Sequence, residues 1–369
     1  MPKKLVLQGH VPGITLDHYH KLDLTLEPDD LNHDPIVNWL VTTGTVTVDI
    51  HVPTVPTFTL FEQLAETDNV LTTVTITGAS ADLLNPFGFG IANLGDFVVT
   101  GIAATATSPT TIHSSLSLID ASATTGDGFI LAGATNTSGL PFVNGATLNS
   151  NITITYDGLT IKGGSGHEFI ENDAKDGVVT VGNHDNDAVV LAGAGASATL
   201  GTGANDQVAV GASLLGTNED PGQALGTTVT FGNVATATLV VGAGTVGFTT
   251  VSGHGAEAGP TASTQNIGQT NVNGAAAGMV IDFHSVTTSN TIANETAAVS
   301  TAATLTAAEH AAVAALGGPG VAYFDYHNDE YLIATNNTET SVSAHDAIVH
   351  LVGVVGLTAS ISDGVVTLV

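Results

Sequence analysis

Three nonapeptides, nineteen residues apart, bring acids and glycines into a pattern that could hold a hard cation. They are GGSGHEFIE (163–171), GNHDNDAVV (182–190) and GTGANDQVA (201–209). Each opens on a Gly-rich turn, carries an acid at its sixth position (Glu168, Asp187, Asp206) and an apolar residue at its eighth (Ile170, Val189, Val208). Carboxylates and turn carbonyls are oxygen ligands of the kind Ca²⁺ takes, about six to eight at a time. The expected ligand positions are Gly163, Gly166, Glu168, Asp173, Asp176, Gly182, Asp185, Asp187, Gly201, Gly203, Asn205 and Asp206, with Ca²⁺ as the cofactor. The chain has no cysteine, so neither a thiolate site nor a disulfide framework can form.

Such turns need short strands to hold them in register. Glycine suits a sharp turn because positive φ costs it nothing, and the eighth residue then points from the following strand into a narrow core. Between the nonapeptides lie half-coils of the same rhythm, 178–181 (VVTV) after Asp176-Gly177 and 197–200 (SATL) after Gly193-Ala194-Gly195. One nineteen-residue coil is therefore two strands and two turns. With these, β-branched runs recur every eight to ten residues at 152–155, 159–162, 169–171, 178–181, 189–191, 208–210, 229–231, 239–241, 248–251 and 279–283, with a polar loop near 216–222. The expected fold is mainly β: a parallel β-solenoid or β-roll over residues 116–284, between a β-rich N-terminal region (1–115) and a small α+β C-terminal cap (285–369).

The N-terminal region alternates β-like runs, 45–52 and 71–76, with two expected helices. One opens at Asp34-Pro35 and carries Trp39; the other covers 60–66, where Thr59 and Glu62 have the spacing of a capping box. In the last region a helix is expected over 307–316 (AAEHAAVAAL), capped by Thr306 and Glu309 and stopped by Gly317-Gly318-Pro319. Strands follow at 321–326, 330–334 and 347–355. A helix and antiparallel strands at the end of a repeat array would cover its last unpaired coil.

The three nonapeptides resemble the GGxGxDxUx repeat of the repeat-in-toxin (RTX) family. Two other stretches, LSLIDASATTGDGF (116–129) and AYFDYHNDEYLIATNNTETSVSAHDAIVHLVGVVGL (322–357), are similar to segments of RTX-type, type I-secreted bacterial S-layer proteins. The resemblance implies calcium-binding β-roll turns, a bacterial cell-surface location, and export through a C-terminal signal. The tail 360–369 (SISDGVVTLV) is compatible with such a signal and equally with a last β-strand. The repeats depart from the family pattern in places: only the first has the double glycine, Glu168 stands for Asp there, and the half-coil 193–201 has no acid.

Charge points the same way. The chain has 34 acids against 5 bases, a formal net charge of −29; the five bases are Lys3, Lys4, Lys21, Lys162 and Lys175, and there is no arginine. So acidic a surface repels nucleic-acid phosphate and anionic lipid, and bound cations would relieve its self-repulsion. The start MPKKLVLQGHVPG has no apolar core behind its lysines, so export without an N-terminal signal peptide is expected. No apolar run reaches the ~18 residues of a membrane span, so no membrane insertion is expected.

Other chemistry is set aside residue by residue. GAGTVG (242–247) has the GxGxxG spacing, but the β-branched, Gly-broken FTTVSGHG that follows cannot open the helix a dinucleotide site needs. His167-Glu168 begins like a zincin motif and lacks the second His, and there is no GxSxG nucleophile elbow. His18 and His20 could share one face of a strand; they read as surface or interface histidines that acidification would charge. A polysaccharide-degrading enzyme could use paired acids such as Asp185 and Asp187, yet uronate substrates call for Arg or Lys to neutralise them. The reading is a non-enzymatic extracellular protein that self-assembles with calcium into an S-layer, sheath or filament, its partner being itself, with cell-surface polysaccharide as a further partner. The alternative is a secreted calcium-dependent adhesin or glycan-binding module, for which the aromatics Trp39, Tyr323, Phe324, Tyr326 and Tyr331 would matter.

Overall fold

Runs such as TIK, VVT, SAT and TVT put one aliphatic or small residue between two neighbours, so an extended backbone turns the central side chain to one face and its neighbours to the other. All four are strands: Thr160–Lys162, Val178–Thr180, Ser197–Thr199 and Thr228–Thr230. Their central residues, Ile161, Val179, Ala198 and Val229, are buried. The computed structural model describes residues 3–8, 14–17, 21–27, 36–41, 45–51, 60–66, 72–78, 91–92, 98–99, 110–113, 117–124, 129–131, 152–155, 158–166, 168–172, 174–191, 193–210, 226–233, 236–242, 269–338, 340–343, 346–356 and 358–369. The chain is mainly β and divides into two compact units, Met1–Val189 with Leu200–Gly203, and Val190–Thr199 with Ala204–Val369.

In the first unit the chain alternates between parallel ladders. One runs, in spatial order, through Lys3–Gln8, Lys21–Glu27, Thr45–His51, Thr73–Gly78, Leu118–Thr124, Thr160–Lys162 and Val178–Thr180, every neighbouring pair parallel. The strands between these in sequence form a second parallel ladder, Ile14–Asp17, Ile36–Val41, Leu60–Glu66 and Ile91–Ala92. Phe129–Leu131 pairs likewise with Glu168–Asn172, and Thr110–His113 with Ile152–Thr155. The register sets Ile119 opposite Ile161 and Ile161 opposite Val179, so inward residues of successive coils form a continuous column. Burying each such side chain contributes about 1.5–3 kcal/mol.

The two expected N-terminal helices are corrected by these ladders. Ile36–Val41, which carries Trp39, is a strand between Ile14–Asp17 and Leu60–Glu66, and Leu60–Glu66 is a strand paired on both flanks. Local helix signals of a few tenths of a kcal/mol per residue yield where a neighbouring coil offers a backbone ladder on each side.

The second unit begins in the same manner. Ser197–Thr199, Thr228–Thr230, Gln269–Asn273 and Ala347–Val352 form a parallel ladder, and Gln207–Val210, Thr238–Val241 and Val280–Asp282 another. Both then change direction. The first continues antiparallel into Asp329–Thr335 and Gly320–Tyr326 and ends on Ile292–Asn294; the second continues antiparallel into Val365–Leu368 and ends on Ala359–Ser362. The tail is thus a hairpin, turned by Asp363 and Gly364, both at positive φ, as a two-residue turn demands.

Against the antiparallel strands packs the helix Leu305–Leu316. Thr304, not Thr306, is its cap: the Thr304 hydroxyl accepts from the Ala307 amide at 3.2 Å, and Gly317 ends the helix at φ +69°. Glu309 faces inward with Ala308, Ala312 and Val313 rather than back toward the first turn, so it is no partner in a capping box. The core here joins Ala312 and Val313 to Phe324, Tyr331 and Ile333. Phe324 and Tyr331 stack with centroids 5.5 Å apart, so these two aromatics of the expected sugar-stacking set are core residues. The run 248–251, the loop 216–222 and residues 243–247 lie outside the described residues.

Glu309 is 7% exposed, and burial pushes its carboxyl up to about 7. Because the folded protein holds this proton more tightly than the unfolded chain, the contribution of Glu309 to stability is fully present below about pH 4.5 and is lost as pH rises through about 7. Glu309→Gln should abolish this decline and stabilise the protein above pH 7, by on the order of 3 kcal/mol. Denaturant unfolding of both proteins between about pH 5 and 8 measures the difference.

Candidate metal centre

The sixth residue of each nonapeptide is drawn into the interior. Glu168, Asp187 and Asp206 are each at most 1% exposed. The register makes clear what kind of position this is: Gln207 lies opposite Thr238, and Thr238 opposite Val280, so Asp206 continues into Ala237 and Met279, both fully buried. Where the repeat pattern ends, the same place in the coil is apolar. A carboxylate at such a place must be hydrogen-bonded or bound to a cation, because an isolated buried charge is prohibitively costly.

Within the first unit two of these acids face the same seam. Asp187 Oδ1 accepts from the Glu168 backbone amide of the preceding coil at 2.9 Å. Glu168 Oε2 lies 3.5 Å from the Gly182 amide of the following coil. One acid reaches back and the other forward, so both carboxylates sit in the layer between the 163 and 182 turns. A third link is Asn183 Oδ1, which accepts from the Thr202 amide at 2.9 Å, nineteen residues on.

The first-position glycines are required by close approach. A Cβ on Gly163 would stand 2.7 Å from Glu168 Oε2. On Gly182 it would collide with the Gly164 carbonyl, and on Gly201 with the Gly182 carbonyl and the Asn183 side chain. None of the three has positive φ; in the two later turns that conformation belongs to Asn186 (66°) and Asn205 (60°). The expectation that these glycines supply the left-handed residue is therefore corrected: glycine makes room for the carbonyl above it, and asparagine, which tolerates that conformation, makes the bend. On the other ladder the residue two places before each strand, Gly158, Asp176, Gly195 or Gly226, also has positive φ.

The remaining expected ligands are scattered. Gly166 and Gly203 are buried, while Asp185 is exposed. Asp176 is exposed at 3.9 Å from Lys175, and Asn205 is exposed with its amide donating to Thr236 Oγ1 at 2.9 Å. Asp173, His18 and His20 lie outside the described residues. Among the described residues no three His, Asp or Glu side chains converge on one point. The donor set fits Ca²⁺ in kind, through the Glu168 and Asp187 carboxylates; further oxygens would come from turn carbonyls such as those of Gly164 and Gly182.

No protein-family model matches the chain, and no curated protein matches it. Among the described residues no helix is long and apolar enough to cross a membrane.

Two residues escaped the sequence reading. Asn183 ties its turn to the next, a role its second position in the repeat could have suggested. Asn172, fully buried, donates to the Leu159 carbonyl at 3.1 Å and accepts from the Ala174 amide at 3.0 Å, crossing the coil from one strand to the other. Its signal was weak, an asparagine at the end of an apolar run. Gly201→Ala should destabilise the fold by about 1–3 kcal/mol through overpacking, whereas Gly318→Ala, which meets nothing within 4 Å, should stay within about 0.5 kcal/mol. Thermal melts of the two variants beside the parent decide between them.

Proposed function

We propose that this protein is a non-enzymatic extracellular building block that folds as a β-solenoid and self-assembles, with calcium, into an S-layer, sheath or filament on a bacterial surface. The observation that carries this reading is the run of three buried carboxylates at a core position of stacked Gly-rich turns, two of them in one inter-coil seam. Calcium bound there by Glu168 and Asp187 would neutralise buried charge and tie one coil to the next. The alternation of the chain between parallel ladders supports the solenoid. A net charge of −29 supports a location where divalent cations are abundant, and type I secretion as the route is proposed on the resemblance of the repeats and the C-terminal run alone.

Self-assembly is the behaviour this combination supports. A protein of such charge stays dispersed until cations screen it, and a stack of regular coils presents backbone and side chains at one repeating spacing. The assembly would therefore be gated by calcium.

Negative-stain electron microscopy of the EDTA-treated protein, before and after millimolar CaCl₂, tests the reading. Sheets or fibres are expected only with calcium. The Asp187→Ala, Asp206→Ala double variant should lose both assembly and calcium-dependent stabilisation in a thermal melt. Dispersed particles in both conditions would overturn the reading in favour of an adhesin, and a double variant that assembles normally would remove the assigned sites.

A further inference from the structure

Each unit ends in strands with one neighbour. In the first unit Lys3–Gln8 pairs with Lys21–Glu27 on one side and has no strand on its other side among the described residues; Ile14–Asp17 is placed likewise beside Ile36–Val41. In the second unit the last strands are Ile292–Asn294 and Ala359–Ser362, which lie in contact with each other. An edge with unpaired backbone groups is a template for another chain, and proteins usually guard it with charge.

The Lys3–Gln8 edge carries lysines and no acid, whereas its companion edge Ile14–Asp17 ends on an acid. Lys3 and Lys4 open the first strand, and the first acid of the chain is Asp17. Beyond Lys175 there is no Lys or Arg at all, and an acid follows each terminal strand of the second unit: Glu295 after Ile292–Asn294 and Asp363 after Ala359–Ser362. The Asp363 side chain is 68% exposed and lies 3.6 Å from His284 Nδ1. On an isolated edge two lysines would repel an approaching basic strand; the terminal strands of the second unit carry no base and are each followed by an acid.

We infer that the Lys3–Gln8 edge of one copy docks on the Ile292–Asn294 edge of another, extending the sheet from chain to chain and joining a segment that carries Lys3 and Lys4 to one bordered by Glu295 and Asp363. The contact rests on the self-assembly reading and specifies its geometry. It joins two different surfaces, so it is heterologous, and it propagates as an open polymer wherever its rotation does not close a ring. Backbone pairing supplies the affinity and the charges select direction, because joining like edges would bring lysines to lysines or acids to acids.

Charge reversal tests the contact in the full chain. Lys3→Glu with Lys4→Glu makes the first edge acidic, and Glu295→Lys with Asp363→Asn makes the second edge basic while keeping a residue suited to the left-handed turn. Light scattering in calcium should show each double variant polymerising only at a concentration about tenfold above the parent's or higher, and an equal mixture of the two recovering the parent's threshold. Circular dichroism and melting temperature check that both are folded. Should either misfold, a synthetic peptide of residues 1–8 added in excess to the parent should shorten its polymers, and the same peptide with both lysines replaced by glutamate should not. A parent that polymerises while either folded variant does so at an unchanged or lower threshold overturns this contact and leaves self-assembly standing. A parent that stays dispersed in every calcium concentration overturns the self-assembly reading, and the contact with it.

Discussion

Turn-on-turn contact is the constraint on which the repeat depends. Where the carbonyl of Gly164 bears on the α-carbon of Gly182, and that of Gly182 on Gly201, no side chain can intervene. That closeness lets Asp187 reach the Glu168 amide and Asn183 reach the Thr202 amide, each across one coil. The ladders on either side then share one spacing, and the inward residues meet their counterparts above and below. Loosening one turn would lengthen these hydrogen bonds and open the column of Ile161 and Val179 together.

The cost of the arrangement is concentrated in the acids. Ala237 and Met279 show that the coil can close with apolar residues at this place, so Glu168, Asp187 and Asp206 are not there for packing. Glu309 provides a contrast within the same chain. It too is buried, but among alanines and aromatics on a helix, and there burial favours its neutral form. Glu168 and Asp187 instead lie beside backbone amides of the neighbouring turn. Two kinds of buried carboxylate thus serve different ends, one bringing pH sensitivity to the cap and the other tying coils together.

Much of the strand pattern was legible because an aliphatic residue flanked by two others is a local signal with a local cause. The runs at 178–181, 197–200 and 229–231 name their own inward residues. Trp39 and the segment Leu60–Glu66 were not legible, because their strand state comes from parallel neighbours about twenty-five residues away, on the far side of another strand. Thr304 was missed as a cap for a smaller reason: Leu305 extends the helix by two residues, and an apolar residue in first place carries no start signal. The sixth-position acids were legible as a pattern, whereas the work of the glycines was not. Sequence displays a glycine without saying whether it yields its φ or its side-chain space, and only the stacked coils separate Gly182 from Asn186.

The ladder also reveals what the repeat does not constrain. Val178 pairs with Thr160, eighteen residues earlier, whereas Thr228 pairs with Ser197 across thirty-one residues and Asn271 with Thr228 across forty-three. The rungs keep register although the chain between them more than doubles in length. Connections of unequal length thus close onto rungs of equal spacing, so a segment inserted between two such strands should lengthen the connection and leave the paired frame in place.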